Sequence, residues 1–304
     1  MKQVASLRYD VIFKKAFRVP AIFTALVRDF LNIELEIDSV ETDKVYDPPL
    51  GNVAVKFDLY AEDNNNRVIV DIQHVRFLDH YHRFLHYHCA ALLNQLVHSK
   101  DYRPPLKVFT LVILTSGDRH QQDISIIDFD PKNLQGEPLG EIGHKIIYIC
   151  PKYLNKTRTP RAYQEWMEAI EDSLDEQVDE SHYTHPQIQA IFKLIEQDQV
   201  TPQERAKMFD EYSLEEVKKE QLREIRAAAM AEGEAKGKAE GEAKGKAEGK
   251  AEGLKAGEQK AKEEQEQSIR RLLSLGTLTE EQIAQVMGWT VEQVKVLSKA
   301  KKPA

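Results

Sequence analysis

The chain has little cysteine, no long hydrophobic run and no excess of positive charge. Cys89 and Cys150 are its two cysteines among 304 residues, and because they form no spaced framework we expect free thiols of a reducing compartment. No apolar run approaches the ~18 residues that would suggest a membrane span, and the opening residues contain no apolar signal segment. We therefore expect a cytoplasmic protein that neither spans a membrane nor follows that secretory route.

The lack of positive charge also limits how the chain can contact nucleic acid. Its formal net charge is −8. Residues 1–160 carry 20 Lys and Arg against 20 Asp and Glu, residues 161–230 carry 8 against 17, and residues 231–304 carry 14 against 13. Since no part is strongly basic, any contact with nucleic acid must depend on local patches rather than on bulk attraction.

Residues 53–75 contain the clearest local pattern, two strands joined by a turn. Apolar side chains recur at every second position from Val53 to Leu59, which is the period of a strand with one buried face. The Glu, Asp and Asn residues at 62–66 favour a turn, and a β-branched run follows at residues 68–73. The pattern predicts a β-hairpin.

The register of this hairpin decides its chemistry. If Ala61 faces Val68, then Asp58 lies opposite Asp71, with Cβ atoms roughly 4.5–5.5 Å apart. Two carboxylates at that spacing either hold a hard divalent cation between them or are solvated side chains of an ordinary hairpin. A slip of one residue would place them on opposite faces and exclude the cation site.

Residues 1–155 show the alternation of helical and strand patterns that is typical of an α/β domain. Helical periodicity covers residues 6–31 and 76–98, and further strands are predicted at residues 35–45, 106–114, 124–127 and 145–150. This order predicts a mixed central sheet flanked by helices, followed by an α-helical C-terminal region.

An acidic helical segment is predicted over residues 156–230. Trp166, Phe192 and Phe209 are its expected apolar anchors, which favour a folded or docked segment over disorder. Within the preceding domain, Arg83 and Tyr87 lie on the predicted helix after the hairpin. They either contact phosphate or pack against the sheet.

The repeat at residues 231–257 places one of seven glycines at every fourth position. Seven glycines cost about 7 kcal/mol of helix propensity relative to alanine, and each Glu–Lys pair returns only about 0.2–0.5 kcal/mol. An isolated helix is therefore expected to lose to coil. We interpret residues 231–262 as a hydrophilic tether, or as a helix that only self-association stabilises.

Residues 263–304 are predicted to form a small helix-turn-helix-like tail. Capping boxes at residues 279–282 and 290–293 mark the starts of two helices. Two interpretations stay open, a DNA-reading motif and a packing or oligomerisation module, since the second helix offers few side chains for base contacts. We expect a homo-oligomer formed through this C-terminal helical region.

Several short motifs follow one another in order through residues 7–115. They are Asp10-x-x-Phe13-Lys14-x-x-Phe17, Phe30-Leu31-Asn32, Phe57-Asp58, Asp71-Ile72-Gln73, Tyr81-x-Arg83 and Tyr87. The ordered set resembles the recombination-promoting nuclease and transposase family of the PD-(D/E)XK nuclease superfamily. The resemblance implies a restriction-endonuclease-like core, with four central strands flanked by helices, that cuts DNA with Mg²⁺.

The resemblance also implies roles for individual residues of the hairpin. Asp58 matches the first metal-binding acid and Asp71 the second, and the main-chain carbonyl of Ile72 would complete the protein ligands. Gln73 stands at the position usually held by lysine, where glutamine also occurs in the family. The cation would activate water against the scissile phosphate and stabilise the leaving oxygen.

Two departures from the family pattern bear on activity. Asp71 is one methylene shorter than the usual glutamate, and Gln73 can neither act as a base nor carry charge. Lys56 is expected to supply the missing positive charge if the register holds. Asp10 is either an accessory acid or a helix cap, and the cap is the preferred interpretation.

Two functions follow from these observations. The first is a Mg²⁺-dependent DNA endonuclease associated with transposition and recombination of mobile elements, with Asp58, Asp71 and Gln73 as catalytic residues. The alternative is a catalytically degenerate nuclease-fold protein that acts as a DNA-tethering or oligomerisation module. DNA is the expected partner in the first case, and no membrane is expected in either.

Overall fold

The protein forms two compact units in a computed structural model that describes residues 1–46, 54–74, 79–95 and 103–299. The first unit is Met1–Lys218 and the second is Lys219–Ala304. In the described part of the chain, no helix combines the length and apolarity needed to cross a bilayer.

The first unit alternates strands and helices. In chain order these are β1 (Lys2–Gln3), α1 (Asp10–Phe17), α2 (Pro20–Leu31), β2 (Glu41–Tyr46), β3 (Val55–Glu62), β4 (Asn66–Gln73), α3 (His80–Leu93), β5 (Lys107–Leu114), β6 (Ile124–Asp128), β7 (Lys145–Ile149), α4 (Arg161–Ser173), β8 (Gln177–Val178), α5 (Pro186–Leu194) and the beginning of α6 (Pro202–Leu275). Short 3₁₀ turns occur at Pro151–Tyr153, Glu180–His182 and Gln197–Gln199.

A six-stranded mixed sheet with the order β2-β3-β4-β5-β7-β6 forms the centre of this unit. The β4–β5 and β5–β7 pairs are parallel, and the other three pairs are antiparallel. A parallel pair needs a crossover, and α3 lies in the connection between β4 and β5. Residues 108–114 of β5 are all buried, as expected for an apolar strand covered on both faces. The predicted α/β fold with a mixed sheet is confirmed.

The main core joins one face of the sheet to helices from both ends of this unit. Phe13 and Phe17 of α1, Phe23 of α2, Trp166 of α4 and Phe192 of α5 are all fully buried in one apolar cluster. Large aromatic side chains contribute most to such a core because each one removes a large apolar surface from water. The helices after residue 155 are therefore part of the same compact unit as the sheet.

Three expectations about segments differ from the structure. No unit boundary lies at residue 155, since the first unit extends to Lys218. Phe209 is 70% exposed, so it is not an apolar anchor, whereas Trp166 and Phe192 are. The strand expected over residues 35–45 is shorter and begins at Glu41, although Leu35 before it is buried in the main core.

The second unit contains the rest of α6 together with α7 (Glu280–Met287) and α8 (Val291–Lys299). Thr279 and Gln282 form the predicted capping box, and Gly288 ends α7 in a left-handed conformation with φ 69°. Ile269, Ile283 and the other buried members of this cluster form a small apolar core. The predicted helix-turn-helix arrangement is thus present.

The glycine repeat is helical, which agrees with the second of the two interpretations, a helix, and not with a coiled tether. Residues 231–257 all lie within α6, and ion pairs such as Lys236–Glu232 follow the helical i, i+4 spacing. A Cβ atom built on any of the seven glycines would meet no atom within 4 Å in the described chain. Since propensity alone disfavours this helix, stabilisation by self-association stays a prediction.

Candidate active site

The β3–β4 hairpin has the predicted register. Ala61 pairs with Val68, and the ladder continues to Leu59 opposite Val70. Asp63 stabilises the turn. Its Oδ1 accepts hydrogen bonds from the main-chain N–H groups of Asn65 at 2.7 Å and Asn66 at 2.6 Å. The register that brings the two aspartates opposite each other is therefore confirmed.

Asp58 and Asp71 continue the pairing with their side chains. The Asp58 N–H donates to Oδ1 of Asp71 at 3.0 Å, and the Ile72 N–H donates to Oδ2 of Asp58 at 3.0 Å. Each carboxylate thus binds the main chain of the opposite strand, which holds the two acids together at the end of the ladder. Asp71 is only 3% exposed, and its Oδ2 has no hydrogen-bond partner among the described residues.

The two carboxyl groups disfavour each other's charge. Burial raises the pKa of Asp58 to about 6 and the nearby charge of Asp10 adds to this, although Lys14 and the Ile72 N–H act in the opposite direction. Burial and the charge of Asp58 likewise raise the pKa of Asp71 well above its ordinary range. A cation placed between the two acids would remove this electrostatic cost.

Gln73 follows Asp71 on the same face of β4, two residues further along. It is 7% exposed. Its main-chain oxygen accepts a hydrogen bond at 3.1 Å from the N–H of Thr115, the residue that follows β5. Gln73 lines a cleft of about 220 Å³ together with Ile72, Asp10 and other residues. The structure thus brings Asp58, Asp71 and Gln73 to one end of the sheet, beside an open cleft.

Lys14 of α1 lies beside Asp58, and the sequence did not indicate this. Its Nζ atom is 2.7 Å from Oδ2 of Asp10, 2.7 Å from Oδ1 of Asp43 and 3.5 Å from Oδ1 of Asp58. Burial by itself would lower the pKa of Lys14, but the charge of Asp58 and the hydrogen bonds to Asp10 and Asp43 raise it above its ordinary value. The lysine therefore stays protonated.

The charge expected from Lys56 lies elsewhere. Its Nζ atom is 2.6 Å from Oδ1 of Asp43, and the Lys56 side chain is 58% exposed. Asp43 thus lies between the two lysines, in a left-handed conformation with φ 58° that aspartate tolerates better than most residues. Lys14, on a helix packed against the sheet, provides the positive charge near Asp58 that was expected from Lys56.

Asp10 is not a helix cap. The N-cap residue of α1 is Tyr9, which has no side-chain capping bond, and Asp10 is the first helical residue. Glu211 of α6 takes the capping role instead, since its carboxylate accepts hydrogen bonds from the N–H groups of Asp10 at 2.8 Å and Val11 at 3.4 Å. Nothing in the sequence connects Glu211 with a helix about 200 residues earlier.

Arg83 and Tyr87 lie on α3, one helical turn apart. The Arg83 Nε donates to the Tyr87 hydroxyl at 3.2 Å, and the guanidinium lies 5.3 Å from the centre of the tyrosine ring. Arg83 is exposed and lines the same cleft as Gln73. Its position is suitable for contact with a phosphate, and this role stays a prediction.

Comparison with known families adds an independent observation. A family described as PD-(D/E)XK nuclease family transposase matches residues 7–224. The chain belongs to this family. The resemblance of the ordered motifs to PD-(D/E)XK nucleases is thereby confirmed, and the match includes the first turns of α6. No curated protein matches the chain, and no solved structure does.

PD-(D/E)XK nucleases in general use divalent cations, and the residues at this hairpin fit such an ion. Among the described residues, no group of three or more His, Cys, Asp or Glu side chains is placed to hold a metal. Mg²⁺ needs few protein ligands, because it retains water and takes further oxygen ligands from phosphate. Two carboxylates, one of them with a buried oxygen that has no partner in the described chain, are a sufficient side-chain contribution.

Proposed function

We propose that the protein is a Mg²⁺-dependent DNA endonuclease that hydrolyses phosphodiester bonds during transposition or recombination of mobile elements. Membership of a nuclease family of transposases supports the reaction class. The observation that carries the proposal is the reciprocal bonding of Asp58 and Asp71, which leaves a buried Asp71 oxygen with no partner in the described chain.

Asp58, Asp71 and the main-chain carbonyl of Ile72 would hold the cation. When bound, Mg²⁺ lowers the pKa of water and stabilises negative charge on the phosphate and the leaving oxygen. The protein's own contribution is to keep both carboxylates in place through the main-chain N–H groups of the opposite strand. Such fixed positions avoid reorganisation during the reaction.

The remaining residues act on the substrate rather than on protons. Gln73 offers an amide at the cleft, which orients water or phosphate by hydrogen bonding but cannot take up a proton. Arg83 binds a backbone phosphate at the edge of the cleft. In the reaction, a water oxygen forms a new bond to phosphorus and releases a proton to bulk water, the bond from phosphorus to the leaving sugar oxygen breaks, and that oxygen takes a proton from bulk water.

Nicking of supercoiled plasmid DNA by the full chain tests the proposal. With Mg²⁺ present, we expect Asp58→Asn to lower the rate at least about 100-fold, because one of two acidic ligands is lost. Asp38→Asn is the matched control, since Asp38 is exposed and lines a cleft at the turn of the hairpin, where neither Asp58 nor Asp71 takes part. Equal rates for wild type and Asp58→Asn would reject the proposed site.

The alternative, a catalytically degenerate protein that tethers DNA or mediates oligomerisation, is favoured by one observation. The second unit has its own apolar core and capped helices, as expected of a separate interaction module. A wild type that lacks metal-dependent cleavage, and that loses DNA binding or oligomerisation when residues 219–304 are removed, would favour this alternative.

A further inference from the structure

The candidate site lacks positive charge at Gln73, the position that lysine usually holds in PD-(D/E)XK nucleases. Gln73 is neutral, while Asp58 and Asp71 bring two carboxylates together at the end of the β3–β4 ladder. Cleavage of a phosphodiester adds negative charge to the phosphate oxygens, and fixed cations stabilise that charge best in a site with little water. A fixed cation from another element would supply, beside the metal, the positive charge that Gln73 does not.

Lys14 is held where such a cation is needed. Its side chain is 10% exposed, and its ammonium group lies 2.7 Å from both Asp10 and Asp43. An ammonium group has three N–H donors. Two are used by these short contacts, and Oδ1 of Asp58 lies 3.5 Å from the ammonium nitrogen, which is longer than a normal hydrogen bond.

The helix that carries Lys14 is firmly fixed. Phe13 and Phe17 of α1 are fully buried in the main core, and Glu211 caps the first turn of the helix. Asp43 adopts a left-handed conformation within β2, which is a conformation that proteins often retain at functional sites. The ammonium group is thus oriented before any substrate binds.

We propose that Lys14 is the cationic catalytic residue of this site and replaces, from α1, the charge missing at Gln73. Its third N–H donor binds a non-bridging oxygen of the scissile phosphate and stabilises the charge that develops there. Lysine is protonated at neutral pH, so it transfers no proton in the reaction. This inference rests on the proposed endonuclease function.

Steady-state nicking of plasmid DNA with Mg²⁺ by full-length variants tests this role. We expect Lys14→Gln to lower kcat about 100-fold and to change KM by less than about threefold, because the contact strengthens only as charge develops. Lys15→Gln is the matched control. Lys15 is the next residue of α1, pairs with Glu204 at 2.9 Å, and its variant should keep the wild-type kcat.

A second measurement separates this role from a structural one. Binding of Mn²⁺ without DNA, followed by electron paramagnetic resonance, should be at least about threefold tighter in Lys14→Gln, because a charge next to Asp58 is removed. If Lys14 only positioned the acids, its loss would weaken Mn²⁺ binding. Should Lys14→Gln fail to fold, the pair Lys14→Gln with Asp43→Asn removes the cation and one partner together, and the same criteria apply.

The outcomes distinguish this inference from the proposed function. If Lys14→Gln has a kcat within about tenfold of wild type, or binds Mn²⁺ more weakly, the proposed role of Lys14 is wrong. The endonuclease function would still be supported in that case if Asp58→Asn is inactive. A wild type without cleavage, or an Asp58→Asn variant as active as wild type, would overturn both.

Discussion

Glu211 offers a test of how α6 is joined to the helix that carries Lys14. Its carboxylate caps α1, but burial and the nearby charges of Asp10 and Glu215 raise its pKa from an ordinary 4.5 to about 7. Below pH 4.5 the group is protonated in the folded and unfolded states alike. Between pH 4.5 and 7 the unfolded chain releases its proton first, so stability falls as the pH rises through this window.

The size of this effect follows from the shift. A difference of about 2.5 pKa units corresponds to about 3 kcal/mol of lost stability above pH 7, and partial exposure of the side chain makes this an upper limit. Glu211→Gln carries no charge and keeps one acceptor oxygen for the shorter α1 bond, from the Asp10 N–H, whereas the 3.4 Å bond from Val11 to the other oxygen is lost. At pH 8 the variant should therefore be more stable than wild type by up to about 3 kcal/mol, and at pH 4.5 the two should be alike.

Urea unfolding followed by tryptophan fluorescence measures the difference. With Trp289 replaced by Phe in every protein, the buried Trp166 reports on the first unit. Glu204→Gln is the control on the same helix, because hydrogen bonds from Thr201 and Lys15 outweigh burial and lower the Glu204 pKa. That variant should be less stable than wild type at pH 8. A Glu211→Gln effect that does not change between pH 4.5 and 8 would refute the reasoning.

Two further predictions concern the core and the repeat. Trp166→Ala should lower the free energy of unfolding by about 3–5 kcal/mol, because a fully buried ring and its hydrogen bond to Asp29 are lost. Phe209→Ala, at a 70% exposed site, should change it by less than about 0.5 kcal/mol. Urea unfolding measures both changes. The double variant Gly241→Ala with Gly249→Ala should stabilise the α6 helix by about 1 kcal/mol per site, because neither added Cβ meets a described atom. Circular dichroism should show that more helix is retained on heating. If helix content does not increase, these glycines have a close packing partner.

Local patterns in the sequence were sufficient for the hairpin and its register. Alternating apolar residues before the turn, and the aspartate and asparagines within it, allow one pairing that buries the apolar face, and a one-residue slip would expose it. The same holds for the α7 capping box, since the interaction of Thr279 with Gln282 needs only neighbouring residues. Short-range chemistry decides such features.

The acidic helices after residue 155 were only partly predictable. Trp166 and Phe192 are large apolar residues in an otherwise charged segment and were expected to be buried, which is correct. Phe209 is also a large apolar residue in a charged stretch of sequence, yet its side chain is exposed on α6. Helical periodicity indicates which side chains share a face of a helix. Whether another element covers that face depends on packing between parts of the chain that are distant in sequence.

The sequence by itself determined the family, the mixed α/β fold and the hairpin that carries Asp58 and Asp71, because these depend on ordered motifs and short-range patterns. Only the tertiary structure decided which cation lies near Asp58. Lys56 is two residues away along β3 and pairs with Asp43, whereas Lys14 is 44 residues away and reaches Asp58 because α1 packs against the sheet. Electrostatic energy depends on distance in space, and distance along the chain does not reveal it.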